Sequence, residues 1–316
     1  MKIVQIAKNV IPVPPIGYGG TERDIHYLTN CLIDRGHEVI VFAKQGSKCK
    51  GKLIEYPKSL TNLLPFVLKN LPVDADVIID HAGFVAREKL PIPTLCSIHS
   101  ANKMNVQFPV YVSEYLLDHK GNGEGYFVHN GIGLEDYPYL EQKGNFILSL
   151  GRIIPSKGTH LAIMAAKATG DSLLIAGNVP KKGIGYFNKK VKPHIDGTQI
   201  KYVGEVAGEE KMRLLSKAKC VLFPITWEEP FGLVPIEAMA CGTPVIAFRK
   251  GGVRETMKGF PELTCNNVNE MVNILQRNQF PPPKKLREYV TQHFSAEVMT
   301  DNFEKLIAKA LMEYKK

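Results

Sequence analysis

Thr226-Trp-Glu-Glu-Pro-Phe-Gly-Leu-Val-Pro-Ile-Glu-Ala-Met-Ala-Cys-Gly-Thr-Pro244 is the stretch that decides the fold. The apolar run Cys220-Val-Leu-Phe-Pro-Ile225 precedes it, and Pro244-Val-Ile-Ala-Phe248 closes it. Short, unbroken apolar runs of this kind read as strands of a parallel sheet buried on both faces. Between them the spacing predicts a loop and then a helix over about Leu233 to Ala240, with Gly242 as its left-handed stop. The unit is strand, loop, helix, strand. In open parallel sheets, ligands collect where such a loop leaves the carboxyl end of a strand.

Two carboxylates frame this loop and helix. Glu229 lies in the loop and Glu237 in the helix, with seven residues between them. The amides of Phe231, Gly232 and Leu233 fall at the helix start, where unpaired N–H groups and the helix dipole suit an anion such as a diphosphate. Gly232 permits close approach of backbone. An ionised carboxylate accepts hydrogen bonds from vicinal hydroxyls, as on a ribose or a hexose. The combination points to a nucleotide sugar.

The rest of the chain repeats the strand–helix alternation, which implies α/β architecture with doubly wound parallel sheets. Lys2-Ile-Val-Gln-Ile-Ala7 is the first strand, and Gly19 and Gly20 open an amphipathic helix ending near Gly36. Glycines at a helix start let backbone approach a phosphate. The Gly-x-Gly-x-x-Gly pattern of nicotinamide binding is missing. Pro93-Thr-Leu-Cys-Ser-Ile-His-Ser100 is a strand with His99 at its carboxyl end, and His81 follows the strand before it. Asn145-Phe-Ile-Leu-Ser-Leu-Gly-Arg-Ile-Ile-Pro-Ser-Lys-Gly158 is a strand and turn carrying two cations. Arg152 offers a planar fork for phosphate oxygens and Lys157 a point charge. Together they could hold a leaving diphosphate without a metal.

At these residues the chain resembles the retaining glycosyltransferases with two Rossmann-like domains (GT-B), in particular glycosyltransferase family 4. Glu229-Pro-Phe-Gly-Leu-Val-Pro-Ile-Glu237 matches the family's Glu-x7-Glu signature, and Gly151-Arg152 with Lys157-Gly158 matches its Gly-Arg…Lys-Gly pair. The resemblance implies two Rossmann-like sheets facing a cleft, with a C-terminal helix crossing back to the first domain. It implies an acceptor-side domain over 1–133, a nucleotide-sugar domain over 134–294, and the returning helix over 295–316. His129-Asn-Gly-Ile132 resembles the family's turn between domains, and 133–143 is expected to be a linker. By the same resemblance, Gly19 and Gly20 face the donor diphosphate and the acceptor, and His99 lies beside the transferred sugar. The backbone near Val206 reads the nucleobase edge. Expected catalytic residues are Arg152, Lys157, Glu229 and His99. Expected donor contacts are Gly19, Gly20, Arg152, Lys157, Val206, Glu229, Phe231, Gly232, Leu233 and Glu237.

The implied activity is metal-independent, retaining transfer of a hexosyl unit from a UDP-sugar, UDP-glucose or a related UDP-hexose, to an acceptor the sequence does not identify. No cofactor is expected. Rival readings are a nucleotide-sugar epimerase of the same fold, a phosphorylase, and a binding module without turnover.

Composition sets outer limits. The chain has 316 residues, enough for about two domains. Hydrophobic residues make up 44% and charged residues 22%, as in ordinary globular proteins. Six cysteines are scattered without a Cys-x-x-Cys pair, so free thiols and a cytoplasmic setting are expected. Net charge is +9, with 14 Lys/Arg against 12 Asp/Glu in 1–133 and 26 against 19 beyond. The excess could serve anionic ligands or an anionic membrane surface, but nothing reads as a nucleic-acid motif. Leu60, Leu64, Val67, Leu68 and Leu71 in Pro57–Leu71 share one face of a helix. That helix is expected to pack on the sheet, with peripheral membrane contact as the alternative. Asp74-Ala-Asp76 resembles a metal clamp in form, yet it precedes a strand and reads as a turn.

Overall fold

The computed structural model describes residues 1–100 and 104–314. Contacts divide them into two compact units: 1–133 together with the chain from Phe294 onward, and Leu134–His293. The last two positions of the C-terminal helix expectation, 315 and 316, lie outside the described residues.

The first unit holds a seven-stranded sheet: β1 (Lys2–Ile6), β2 (Glu38–Lys44), β3 (Lys52–Tyr56), β4 (Val77–Asp80), β5 (Thr94–Ile98), β6 (Phe108–Tyr111) and β7 (Tyr126–Phe127). Their order is β3-β2-β1-β4-β5-β6-β7, parallel throughout. Ile3 pairs with Val39 on one side and Val77 on the other. β4 and β5 are buried along their whole length, as strands covered on both faces of a parallel sheet are.

Helices cover the sheet. The helix Leu63–Asn70 adds Val67 to a core of Val4, Ile6, Ile40, Phe42, Tyr56, Ile78 and Val85, with Leu60, Leu64 and Leu71 packed against it. The apolar face read in the sequence is thus largely spent on the sheet; Leu68 is 39% exposed. Asp74 and Asp76 close the turn before β4 by binding Lys2: Asp74 Oδ2 accepts from Nζ at 2.5 Å, and Asp76 Oδ2 from the backbone N–H at 2.7 Å. Among the described residues no cluster of three or more His, Cys, Asp or Glu could hold a metal ion.

The C-terminal helix Ala296–Tyr314 belongs to this unit and packs on the helix Gly20–Asp34. Met299, Phe303, Ile307 and Ala310 form its buried stripe, at the 3–4-residue spacing of an amphipathic helix. Glu304 accepts from Arg35 at 2.5 Å and lies 2.9 Å from His37 Nε2. Tyr314 donates its hydroxyl hydrogen to the carbonyl of Leu90.

The second unit holds six parallel strands: β8 (Phe146–Leu150), β9 (Ser172–Ala176), β10 (Ile200–Gly204), β11 (Cys220–Phe223), β12 (Val245–Phe248) and β13 (Thr264–Cys265). Their order is β10-β9-β8-β11-β12-β13. The helix Leu233–Ala240 falls where the sequence places it, and Gly242 stops it at φ 76°. Of the expected linker over 133–143, residues 134–143 fall in this unit. Tyr137 is buried, and the Arg287 guanidinium donates to the carbonyls of Leu134, Tyr137 and Ala240. The helix Pro283–Phe294 supplies that arginine. The six cysteines are free thiols. No helix among the described residues is long and apolar enough to cross a membrane.

The buried stripe of the last helix makes a direct prediction. Ile307→Ala should destabilise by about 2–5 kcal/mol, whereas Met312→Ala, at a side chain 69% exposed, should change stability by less than ~0.5 kcal/mol. Urea unfolding of both variants measures the contrast, and equal losses would contradict the packing.

Candidate functional site

In the second sheet the strand order reverses between β8 and β11. Connections leaving the two strands diverge there and leave a crevice at the carboxyl edge. The chain after β8 runs through Arg152 to a single 3₁₀ turn at Pro155–Lys157, and Gly158 follows at φ 68°. A Cβ on Gly158 would lie 1.9 Å from the carbonyl oxygen of Pro224. Only a residue without a side chain lets the two loops come so close. The Thr226 N–H then donates to the Ser156 carbonyl at 2.9 Å. Two segments 70 residues apart are thereby locked together.

That lock brings Lys157 to Glu229. Lys157 Nζ lies 2.7 Å from Glu229 Oε2, and the Trp227 indole N–H donates to the same oxygen at 2.7 Å. The ammonium also sits over the rings of Phe223 and Trp227, 5.6 and 5.5 Å from their centroids. The neighbouring acid, Glu228, has a different task. It accepts from the Gly251 N–H at 2.5 Å and lies 3.4 Å from Lys250 Nζ. With the Gly252 N–H donating to the Glu229 carbonyl at 2.8 Å, this fastens the loop to the turn after β12.

Glu237 is 3% exposed. Its Oε1 accepts from Lys211 Nζ at 2.7 Å and from the Tyr137 hydroxyl at 3.0 Å. An ionised carboxylate in so dry a place needs such partners. Phe231 is buried, and Gly232, at φ 102°, precedes the helix Leu233–Ala240 with no side chain capping it. Arg152 is half-buried just past β8, and Val206 half-buried between β10 and the helix Gly208–Lys217. All of these expected residues leave the carboxyl edge of one sheet; among them, Lys157 and Glu229 are in direct contact. Sequence reasoning missed Trp227, Lys211 and Tyr137. Trp227 sat inside the quoted stretch; nothing local marked Lys211 or Tyr137.

The first unit has its own reversal, between β1 and β4. Gly19 and Gly20 sit at the start of the helix after β1, and a Cβ on Gly19 would lie 2.7 Å from the Pro15 Cβ. Asp80, ending β4, shapes the next loop by accepting from the N–H groups of Ala82, Gly83, Val85 and Ala86 at 2.7–2.9 Å. His81 and His99 follow β4 and β5. Gln5 Nε2 donates to Thr29 Oγ1 at 2.8 Å, so Gln5 Oε1 faces His81 Nε2 at 3.1 Å as an acceptor. His81 therefore carries its hydrogen on Nε2. Its Nδ1 accepts from His99 Nε2 at 3.1 Å, with Ser97 Oγ 3.0 Å from the same nitrogen. Burial, helped by the positive charge of Lys8, pushes the His99 pKa down to about 3. Burial and the adjacent His99 push His81 well below its usual value too. On its other side, His99 Nδ1 lies 3.6 Å from Asp24 Oδ2.

A native histidine that resists protonation costs stability in acid, because the unfolded chain takes up the proton that the folded chain refuses. Stability should therefore be level above pH ~6.5 and fall from there toward pH ~3, each such histidine adding a slope of up to ~1.4 kcal/mol per pH unit. His99→Gln should flatten that decline by about one proton's worth in urea melts across this range. An unchanged slope would mean that His99 is charged in the native state.

Comparison with known proteins fits this geometry. Residues 138–263 match the family model for "Glycosyl transferases group 1". An uncharacterized glycosyltransferase of Methanocaldococcus jannaschii is 26% identical over 215 residues, covering 60% of this chain and 59% of that protein. The chain spans about a quarter to three fifths of the length of the curated relatives it matches. Among solved structures, AviGT4, a glycosyltransferase involved in avilamycin A biosynthesis, aligns with a TM-score of 0.85 at 24% identity over 98% of both chains. Anabaena HepE in complex with UDP and glucose aligns at 0.75 and 17% identity over 98% of this chain and 100% of that one. At these identities the structural likeness establishes the fold, which is GT-B: two Rossmann-like domains with parallel sheets. The family match falls within the second unit, and the fold of the chain is GT-B.

Proposed function

We propose that the protein is a retaining glycosyltransferase of family 4 type. In this reading it transfers a hexosyl unit from a nucleotide sugar, UDP-glucose or a related UDP-hexose, to an acceptor hydroxyl, without metal or cofactor. The observation that carries the reading is the 2.7 Å contact of Lys157 with Glu229 at the reversal point of the second sheet. It sets a phosphate-seeking cation against a hydroxyl-seeking acid. Support comes from the family match over 138–263 and from a neighbour of the same fold solved with UDP and glucose.

Lys157 and Arg152 hold the diphosphate, with the helix start at Phe231, Gly232 and Leu233 adding backbone donors. Glu229 receives hexose hydroxyls and orients the anomeric carbon. Glu237, held by Lys211 and Tyr137, receives the ribose hydroxyls, and backbone near Val206 meets the base. The bond from the anomeric carbon to the diphosphate oxygen breaks, and the acceptor oxygen bonds to the same face of that carbon. The acceptor's proton passes to the departing phosphate oxygen, which leaves as the nucleoside diphosphate. Charge grows on that oxygen in the transition state, so preplaced cations there supply the main stabilisation.

Lys157→Ala and Arg152→Ala should each lower kcat by about 10²–10³, the loss seen when one charge-stabilising donor is removed. A coupled assay of UDP release measures it, and wild-type turnover in either variant removes the clamp. Glu237→Gln should weaken UDP binding in calorimetry by about tenfold; unchanged affinity would exclude the ribose contact. A thermal-shift panel of nucleotide sugars should show the largest stabilisation with a UDP-hexose.

A further inference from the structure

We infer that Trp227 is the positioning residue of the hexose subsite, fixing Glu229 so that one carboxylate oxygen is held by the protein and the other is presented to the sugar. The inference rests on the proposed transferase reading. Its basis is the division of labour on one carboxylate. Lys157 Nζ and the Trp227 indole N–H both bind Oε2, each at 2.7 Å. Among the described residues, none hydrogen-bonds to Oε1, while the Glu229 side chain is only 14% exposed.

Two donors on one oxygen fix both the position and the plane of a carboxylate, because its four acceptor directions lie in that plane. They differ in what a ligand does to them. An ammonium on a flexible stem can turn to a diphosphate. The indole N–H is a donor only, uncharged and rigid, and has nothing to gain from phosphate beyond a single hydrogen bond. When a donor substrate draws Lys157 away, Trp227 still holds Glu229. The cation over the indole face keeps ring and ammonium in register beforehand. Trp227 is the single tryptophan of the chain and 37% exposed, so its replacement leaves the core intact.

The test separates sugar from nucleotide. Wild type and Trp227→Phe, which keeps a ring and loses the N–H, are titrated calorimetrically with UDP and with UDP-glucose. The variant should lose more affinity for UDP-glucose than for UDP, so that the added affinity that glucose brings to wild type falls about three- to tenfold. Trp227→His, which restores a ring N–H, should recover part of the loss. Equal UDP-glucose affinity in wild type and Trp227→Phe overturns the inference while leaving the transferase reading in place. A wild type that binds neither ligand overturns both. Unchanged melting temperatures of the variants confirm that the effect is local.

Discussion

A single backbone hydrogen bond, Thr226 N–H to the Ser156 carbonyl at 2.9 Å, holds the candidate site of the second unit in shape. It can form because Gly158 has no side chain to strike Pro224. Without it, the loops after β8 and β11 would be two independent surface segments, each free to sample many conformations at ~1–2 kcal/mol of entropy per residue ordered. With it, the ion pair between Lys157 and Glu229 is formed by groups already placed, so less freedom is lost when it forms. The same device recurs along this sheet edge. A Cβ on Gly177 would lie 1.8 Å from the Gly151 carbonyl oxygen, and one on Gly251 would lie 2.2 Å from that of Glu229. Backbone packed on backbone makes the floor, and side chains are left for chemistry.

The two acids of the motif are treated alike. Each is held on one oxygen by a lysine and by a hydrogen carried on an aromatic side chain: Lys157 and Trp227 for Glu229, Lys211 and Tyr137 for Glu237. Stripping water from an ion pair costs several kcal/mol per charge, and mutual attraction offsets this only when further hydrogen bonds complete the geometry. The aromatic donors supply that completion. They also explain why the carboxylates survive in a place where an isolated charge would be expelled or neutralised.

Most of the fold was legible in the sequence because parallel sheets write themselves as apolar runs punctuated by glycine. The helix Leu233–Ala240 was readable to the residue, since Gly232 and Gly242 bracket it. The candidate site was legible where its members are close along the chain: Glu229 with Glu237, Arg152 with Lys157. It was illegible where partners meet across long separations. Lys211 reaches Glu237 across 26 positions and Tyr137 across 100, and no local pattern distinguishes either from a surface lysine or a loop tyrosine. The segment 133–143 reads as a linker from the Asn130-Gly131 turn before it; its anchoring by Arg287, 150 residues from Tyr137, leaves no local pattern. The pair His81 and His99 was visible only as two strand ends. Its chain of donors from Thr29 through Gln5 required the sheet order β1-β4-β5 that sets their strands side by side.

The charge pattern of the second unit also constrains which ligand could suit it. Removing one member of a partly buried pair leaves the other uncompensated, at a cost of ~3–5 kcal/mol when the pair is fully buried. A ligand that draws Lys157 from Glu229 must therefore satisfy both. A nucleoside diphosphate alone would engage the ammonium and leave the carboxylate with the Trp227 N–H as its one donor. A free hexose would offer hydroxyls to the carboxylate but nothing to compete for the lysine. A nucleotide sugar carries phosphate and hydroxyls on adjacent atoms, so both charges exchange partners in one event. Under the proposed reading, the ion pair would discriminate against each half of a nucleotide-sugar donor arriving alone, before any contact with the base.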